Sequence, residues 1–202
     1  MLLQIYIIRH GETDWNVQGR LQGREDIPLN QSGIAQAHVC GKALAGLRPA
    51  LICCSPLSRA RDTAAIIAGH IGYAGDIVAD PELTERDYGE LSGKMPTAHD
   101  IFRPDEDTPG LESLPDVIKR FKTAVIRIAD GCSGDMIVVS HGASINALLR
   151  DVSGGRVGSG VTTLKNAGIN ILTYEGGRLE LLAHDLSADE YGEYIKCGKS
   201  IR

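Results

Sequence analysis

The chain has 202 residues, 43% of them hydrophobic and 23% charged, with a formal net charge of −5 at pH 7. That length makes one domain, or two small ones, and lets roughly 70% of the unfolded surface be buried, which excludes intrinsic disorder as the main state. No apolar run approaches the ~18 residues of a membrane span, and the acidic balance argues against a nucleic-acid binder or a polybasic membrane adaptor.

The first residues, Met1-Leu2-Leu3-Gln4-Ile5-Tyr6, lack the charged start and cleavage site of a signal peptide. Leu2 to Ile8 reads as a strand buried on both faces, ending abruptly at Arg9-His10-Gly11. Residues 9–30 are polar and glycine-bearing, a long loop. Asn30 is a plausible N-cap for a helix running to about Leu47, with Ile34, Ala37, His38, Gly41, Leu44 and Ala45 at helical spacing. Leu51-Ile52-Cys53-Cys54 is a second buried strand, followed by an Ala- and Ile-rich helix from Leu57 to His70 and a short strand at Ile77-Val78-Ala79.

Residues 84–113 have no clean period and hold several prolines, the mark of an irregular lid or specificity segment. Within it, Asp105-Glu106-Asp107 reads as a solvated loop face. Pro115 starts a helix to about Ala129, with Val117, Phe121, Ala124, Val125 and Ile128 on one stripe. Met136 to Val139 is a fourth buried strand, ending at Ser140-His141-Gly142, and Ile145 to Val152 is helical. Residues 169–183 alternate around Glu175-Gly176-Gly177 as a hairpin. The tail from Tyr191 to Arg202 carries no decisive signal.

Strands alternating with helices predict a three-layer α/β/α sandwich, with a mostly parallel sheet and at least one antiparallel strand. No linker or repeat divides residues 1–202, so a single domain is expected. The five cysteines, Cys40, Cys53, Cys54, Cys132 and Cys197, include no C-x-x-C pair. That usage fits buried thiols in a reducing cytoplasm.

Ligands of open α/β sheets bind beyond the carboxyl ends of the strands. Here those ends deliver Arg9 and His10, then Arg59 one turn into a helix, then His141 at a helix start. Arginine forks match phosphate oxygens, a helix N-terminus adds N–H donors, and a neutral imidazole can carry a phosphoryl group covalently. No P-loop pattern and no zinc-ligand spacing occur, so neither a nucleotide-driven kinase nor a metal site is expected, and no cofactor.

Arg9-His10-Gly11-Glu12-Thr13 with Asn16 resembles the R-H-G signature of the histidine phosphatase superfamily, in its cofactor-dependent phosphoglycerate mutase-like branch. Further blocks follow in that family's order. They are Arg20-Leu21-Gln22-Gly23 with Asp26, Ser55-Pro56-Leu57-Ser58-Arg59-Ala60 with Thr63-Ala64, the run from Leu83 to Gly93, and Val138-Val139-Ser140-His141-Gly142. The resemblance implies a phosphoglycerate mutase-like fold. It implies His10 as nucleophile, with Arg9, Arg59 and His141 around the phosphoryl oxygens and Asn16 donating to them. Glu85 becomes the general acid and then base, with Glu82, Asp87 and Glu90 as alternatives in a segment crowded with carboxylates. Gln22, Gly23 and Gly142 fall at substrate-binding positions, and Arg61 and Arg86 are weaker candidates for the same wall. His38, His70, His99 and His184 read as structural or surface residues, and Trp15 as wall packing.

Phosphatase and mutase share the phosphohistidine and differ in the acceptor, water or a second hydroxyl. Residues 93–113 are short and hold Lys94 and Arg103 against Asp100, Asp105, Glu106, Asp107 and Glu112. That acidic balance suits a second phosphate poorly and favours a phosphatase acting on a small phosphorylated metabolite. Phosphoglycerate mutase and a non-catalytic phospho-ligand module are the rival readings. Pro109-Gly110-Leu111-Glu112-Ser113 departs from the family's P-x-G-E-S run by the inserted Leu111, which puts roles for Glu112 and Ser113 in doubt.

Overall fold

The computed structural model describes residues 2–96 and 108–197. The Asp105–Asp107 run, His99, Asp100 and Arg103 lie outside them. In chain order the elements are β1 (Leu3–Arg9), α1 (Asp14–Val17), α2 (Gln31–Ala43), β2 (Leu51–Cys54), α3 (Ser58–Ile71) and β3 (Val78–Ala79). Two 3-10 turns, Pro81–Leu83 and Gly89–Leu91, precede α4 (Leu114–Asp130), β4 (Met136–Ser140), α5 (Gly142–Val152), β5 (Ile169–Glu175), β6 (Arg178–Leu186) and α6 (Ala188–Lys196).

The strands form one six-stranded sheet in the order β3-β2-β4-β1-β5-β6. β3, β2, β4 and β1 are mutually parallel, and β5 runs antiparallel to both β1 and β6. The sandwich is therefore the one the alternation of strands and helices predicts. The β5–β6 turn has Gly176 and Gly177 at φ 54° and 85°. A two-residue hairpin that matches strand twist needs positive φ at both positions, which glycine adopts without steric cost.

Burial on both faces explains the unbroken apolar runs of β1, β2 and β4. Ile5, Ile7, Cys53, Met136 and Val138 point to one core, with Phe121, Ala124 and Val125 of α4 and Ile145, Leu148 and Leu149 of α5. Tyr6, Ile8, Ile52, Cys54, Ile137 and Val139 point to the other, with Cys40 of α2, Leu44 just past its end, Ile67 of α3 and Tyr191 of α6. Adjacent cysteines thus serve opposite cores. Cys40, Cys53 and Cys54 are buried, whereas Cys197 is exposed.

Several boundaries differ from the periodicity. α2 ends at Ala43, and its buried face is Gly33, Ala37, Cys40 and Gly41, while Ile34 is 42% exposed. Close approach decides that face. A Cβ on Gly33 would lie 2.1 Å from the Glu12 carbonyl oxygen, and one on Gly41 would lie 2.7 Å from the His70 ring. α5 starts at Gly142 rather than Ile145, with His141 as its N-cap residue. The loop after β1 contains α1, closed by a capping box between Thr13 and Asn16. The tail forms α6, capped by Ser187 and Glu190 in the S-x-x-E pattern and anchored by Tyr191 edge-on to Tyr6.

Candidate active site

Parallel pairing of β1 with β4 sets Arg9 opposite Ser140. The next residue on each strand therefore emerges at the same sheet edge, and the His10 and His141 rings lie 5.1 Å apart, edge to face. The His10 N–H donates to the Ser140 carbonyl at 2.9 Å. Gly11 then lets the chain pass hard against α2, since a Cβ there would meet the Gly33 carbonyl oxygen at 2.4 Å. The Gly11 N–H donates to Thr63 Oγ1 at 3.1 Å, and that hydroxyl donates to the Arg59 carbonyl at 2.7 Å. The loop bearing His10 is thus fixed from the sheet, α2 and α3 together.

His10 is 3% exposed, and its Nδ1 lies 2.6 Å from the Gly11 carbonyl oxygen. A carbonyl only accepts, so Nδ1 carries the hydrogen and Nε2 holds the free lone pair. Burial, reinforced by the Arg59 and Arg9 cations, holds His10 well below the ordinary histidine pKa. His141 has the opposite tautomer. Its Nδ1 accepts from Arg59 Nε at 3.2 Å, which puts the hydrogen on Nε2. That Nε2 is buried and has no partner in the protein. Burial first, then Arg59, His10 and Arg9, also holds His141 well below the usual range.

Arg59, on the first turn of α3, is completely buried. Besides His141 it donates to the carbonyls of Glu25 at 2.6 Å and Gly23 at 2.9 Å. Burial lowers its pKa to about 10, so it stays cationic at neutral pH. Arg9 donates through Nη1 to the Leu164 carbonyl and keeps a buried Nε without a partner. A Cβ on Gly142 would lie 3.3 Å from that Nε, so glycine there leaves room for the guanidinium. Two cations, the buried Arg59 and the half-buried Arg9, and two unpartnered N–H groups, on Arg9 and His141, make a site that an oxyanion would neutralise and satisfy.

A cleft of about 270 Å³ opens on this edge, lined among others by Arg9, His10, Asn16, Gln22, Arg59, Glu85 and Gly142. Asn16 Oδ1 accepts from the Thr13 N–H and hydroxyl at 3.1 Å and from Asn166 Nδ2 at 3.3 Å. The oxygen is thereby engaged, and its Nδ2 is the donor left over. Gln22 keeps a buried Oε1 without a partner. Gly23 and His141 are not among the residues lining the cleft; each accepts from Arg59, and the buried His141 ring lies beside His10 at the cleft's inner end.

Glu85 is 8% exposed and sits at the N-terminus of α5. Its Oε1 accepts from the N–H groups of Ser144 and Arg86 at 2.9 Å and lies 3.1 Å from the Ser144 Oγ, and its Oε2 accepts from the Ala143 N–H at 3.1 Å. Oε2 is the less committed oxygen. Of the alternative carboxylates, Glu82, Asp87 and Glu90 do not line the cleft.

Other candidates fall elsewhere. Arg61 and Arg86 do not line the cleft, and Arg86 Nε donates to the Glu112 carbonyl at 2.7 Å. Trp15 packs over Gly93. His38 and His70 meet each other at 2.9 Å between α2 and α3. Conversely, Arg20, Leu21 and Tyr88, which lie within the family-like blocks but carried no expected role, and Ala143, Asn146, Thr162, Thr163 and Leu164, which lie outside them, also line the cleft. Asn146 lies one turn along α5 from Gly142, a spacing that could have flagged it. The loop before β5 offers no such signal. Burial pushes the Tyr88 phenol upward, so it presents an O–H donor at neutral pH. Among the described residues, no group of three or more His, Cys, Asp or Glu is placed to hold a metal ion.

The sequence model of the histidine phosphatase superfamily (branch 1) matches residues 5–186. The chain is 36% identical over 194 residues to the uncharacterized phosphatase PhoE of Bacillus subtilis, covering 95% of this chain and 98% of that one. It is 34% identical over 183 residues to the metal-independent phosphoserine phosphatase of Arabidopsis thaliana, covering 84% and 75%. In fold it matches the phosphoglycerate mutase of Bacillus anthracis at a TM-score of 0.83 and 19% identity, over 98% of this chain and 97% of that one. With the sheet edge arranged as above and the match spanning nearly the whole chain, the protein belongs to the histidine phosphatase superfamily, branch 1.

Proposed function

We propose that the chain is a metal-independent phosphomonoesterase that hydrolyses a small phosphorylated metabolite through a phosphohistidine on His10. The observation that carries this reading is the His10 tautomer. The Gly11 carbonyl holds the hydrogen on Nδ1 and leaves the Nε2 lone pair beside Arg9, Arg59 and His141.

The chemistry runs in two steps. Nε2 attacks phosphorus, and the bond to the leaving oxygen breaks. Glu85, entering protonated, gives its proton to that oxygen. The negative charge on the phosphoryl oxygens is met by Arg9, Arg59, the His141 Nε2–H and the Asn16 amide, donors already in place before the charge develops. In the second step the Glu85 carboxylate takes a proton from water as the water oxygen attacks phosphorus. The P–N bond breaks and its electron pair returns to Nε2, releasing inorganic phosphate.

Water as the acceptor fits the charge around the outer wall. Among the described residues there, Arg24 faces Asp87 and Glu112 at 3.5 and 3.6 Å, and Arg86 is spent on a backbone carbonyl. Arg20 is the one arginine of that described wall that lines the cleft, and it already donates to the Gln18 side chain at 2.8 Å and the Gly93 carbonyl at 2.6 Å, so little cation remains for the second phosphate that a mutase intermediate carries. The PhoE and phosphoserine phosphatase relatives support hydrolysis and, in the second case, activity without metal.

The test is phosphate release, with a chelator present, from sugar phosphates, phosphoglycerates, phosphoserine, nucleoside monophosphates and 4-nitrophenyl phosphate. Release from one class is expected, falling on the order of 10⁴-fold or more in His10→Ala. Interconversion of phosphoglycerates with no net phosphate release would establish the mutase instead. A phosphohistidine that forms and never turns over would leave a binding module.

A further inference from the structure

The segment that carries Glu85 has left the sheet. β3 ends at Ala79, and residues 82–85 have no strand partner. Their backbone is nevertheless held at every carbonyl by a side chain. Ser140 Oγ donates to the Leu83 carbonyl and Ser144 Oγ to that of Thr84, both at 2.8 Å. The remaining contacts come from one residue on α4. Arg120 Nη1 donates to the carbonyls of Glu82 at 2.6 Å and Thr84 at 3.1 Å, and Nη2 reaches that of Glu85 at 3.4 Å.

Arg120 is itself aimed. Its Nε and Nη2 meet Glu112 Oε1 and Oε2 at 2.8 and 2.9 Å, a bidentate pair with both side chains 13% exposed. Burial works to raise the Glu112 carboxyl, but Arg120, the Asp87 N–H and Arg24 outweigh it and hold the group below its ordinary value. Glu112 also ties the neck of the 88–111 segment. Its Oε2 accepts from the Asp87 N–H at 3.1 Å, and its own N–H donates to the Asp87 carbonyl at 2.9 Å.

We infer that Arg120 and Glu112 form a clamp that aims the Glu85 carboxylate at the leaving-group oxygen, so that both are positioning residues for the protonation step. This rests on Glu85 being the acid. Neither residue lines the cleft. A planar guanidinium with five donors suits the role, because it can grip a carboxylate on one edge and several carbonyls on the other. Lysine, with one nitrogen, cannot do both. Glu112 thus acquires a role despite the displaced P-x-G-E-S run.

The test compares kcat/KM for two leaving groups. An alkyl phosphomonoester, the best one from the panel, needs its leaving oxygen protonated; 4-nitrophenyl phosphate needs this far less. Glu85→Gln should lower the alkyl value about 100-fold or more and the aryl value much less. Arg120→Met and Glu112→Gln should move the same ratio in the same direction, by about tenfold, since displacement near 1 Å costs on that scale or above. Arg120→Lys should recover part of it. Melting curves run in parallel, and Glu112→Gln, which keeps side-chain shape, carries the test if Arg120→Met does not fold. Equal losses on both substrates, or none, in the Arg120 and Glu112 variants would overturn the clamp while Glu85→Gln still separates the two. No separation in Glu85→Gln itself would overturn the acid assignment and the clamp with it.

Discussion

The inner end of the cleft and its outer wall are built on different principles. The inner end sits on the last residues of β1 and β4 and the first turns of α3 and α5. Arg59 and His141 are completely buried, and Arg9 and His10 are held by several elements each. The outer wall comes from the loops around Arg20–Gln22, Tyr88 and Thr162–Leu164. Glycines at positive φ, among them Gly158 and Gly160, let the last of these loops turn. On the proposed function, the inner end recognises a phosphoryl group, which has one geometry, so the site for it is over-determined. Recognition of whatever carries that group is left to segments that can change without disturbing the core.

Replacing Arg59 with methionine should break the inner end most severely. It removes a cation and leaves the Gly23 and Glu25 carbonyls and His141 Nδ1 without their donor. A loss of about 10²–10³-fold in kcat/KM is expected on every substrate. Stabilisation by vanadate, worth about 2.7 kcal/mol at 100 times its dissociation constant in the parent protein, should vanish. A thermal-shift titration with vanadate alongside the kinetics checks both. Retained vanadate stabilisation would mean that Arg59 supports the fold and not the anion.

Gly33→Ala sharpens the comparison from a distance, because α2 meets the His10 loop by close backbone approach at Gly33 as well as through Gln36, whose Oε1 accepts from the Glu12 N–H at 2.9 Å. The added Cβ would lie 2.1 Å from the Glu12 carbonyl, so one segment must move. Overpacking of this kind costs about 1–3 kcal/mol, and a shift near 1 Å of His10, the proposed nucleophile, costs about 100-fold in rate. Chemical denaturation and kcat should therefore fall together. Unchanged kcat would show that the loop is held without α2.

The two buried histidines make a pH prediction for stability. In the unfolded chain each titrates near ~6.5, and in the folded protein both lie well below that. Between the two values the unfolded chain binds more protons. Their contribution is therefore full above about pH 6.5 and is lost as the pH falls, by up to ~1.4 kcal/mol per unit for each. Melting temperature measured from pH 8 to 5 should fall, and less steeply in His141→Gln. An equal slope in that variant would place the acid sensitivity elsewhere.

The smallest effect belongs to the outer wall. Thr162→Ala removes hydroxyl contacts to the Asn146 carbonyl oxygen Oδ1 at 3.0 Å and to the Gly158 N–H at 3.0 Å. KM should change about two- to fivefold, by different factors for different substrates, with kcat nearly kept, as loss of two neutral hydrogen bonds in a partly exposed wall implies. A uniform fall in kcat across the panel would place this loop with the inner end.

Much of the inner end was legible because each of its residues sits in a short local pattern. Arg9-His10-Gly11, Arg59 within Ser55–Ala60, and Ser140-His141-Gly142 could each be assigned to a strand end or a helix start before any packing was known. The apolar runs of β1, β2 and β4 determined a sheet buried on both faces, and Gly176-Gly177 determined the hairpin. α6 was also within reach, since Ser187-Ala188-Asp189-Glu190 is a capping box that composition around the tail obscured.

Tertiary structure alone decided the rest. The buried face of α2 follows from contacts of Gly33 and Gly41 with residues far along the chain, where small size matters more than apolarity. Thr162–Leu164 reach the cleft because β5 returns beside β1. The pairing of His10 Nδ1 with Gly11 and of His141 Nδ1 with Arg59, which assigns opposite tautomers to two similar residues, exists only once β1, β4 and α3 are in place. A sequence states which groups are present and how they repeat along the chain. Which atom of each group is engaged, and which is left to act, is a matter of distances across the fold.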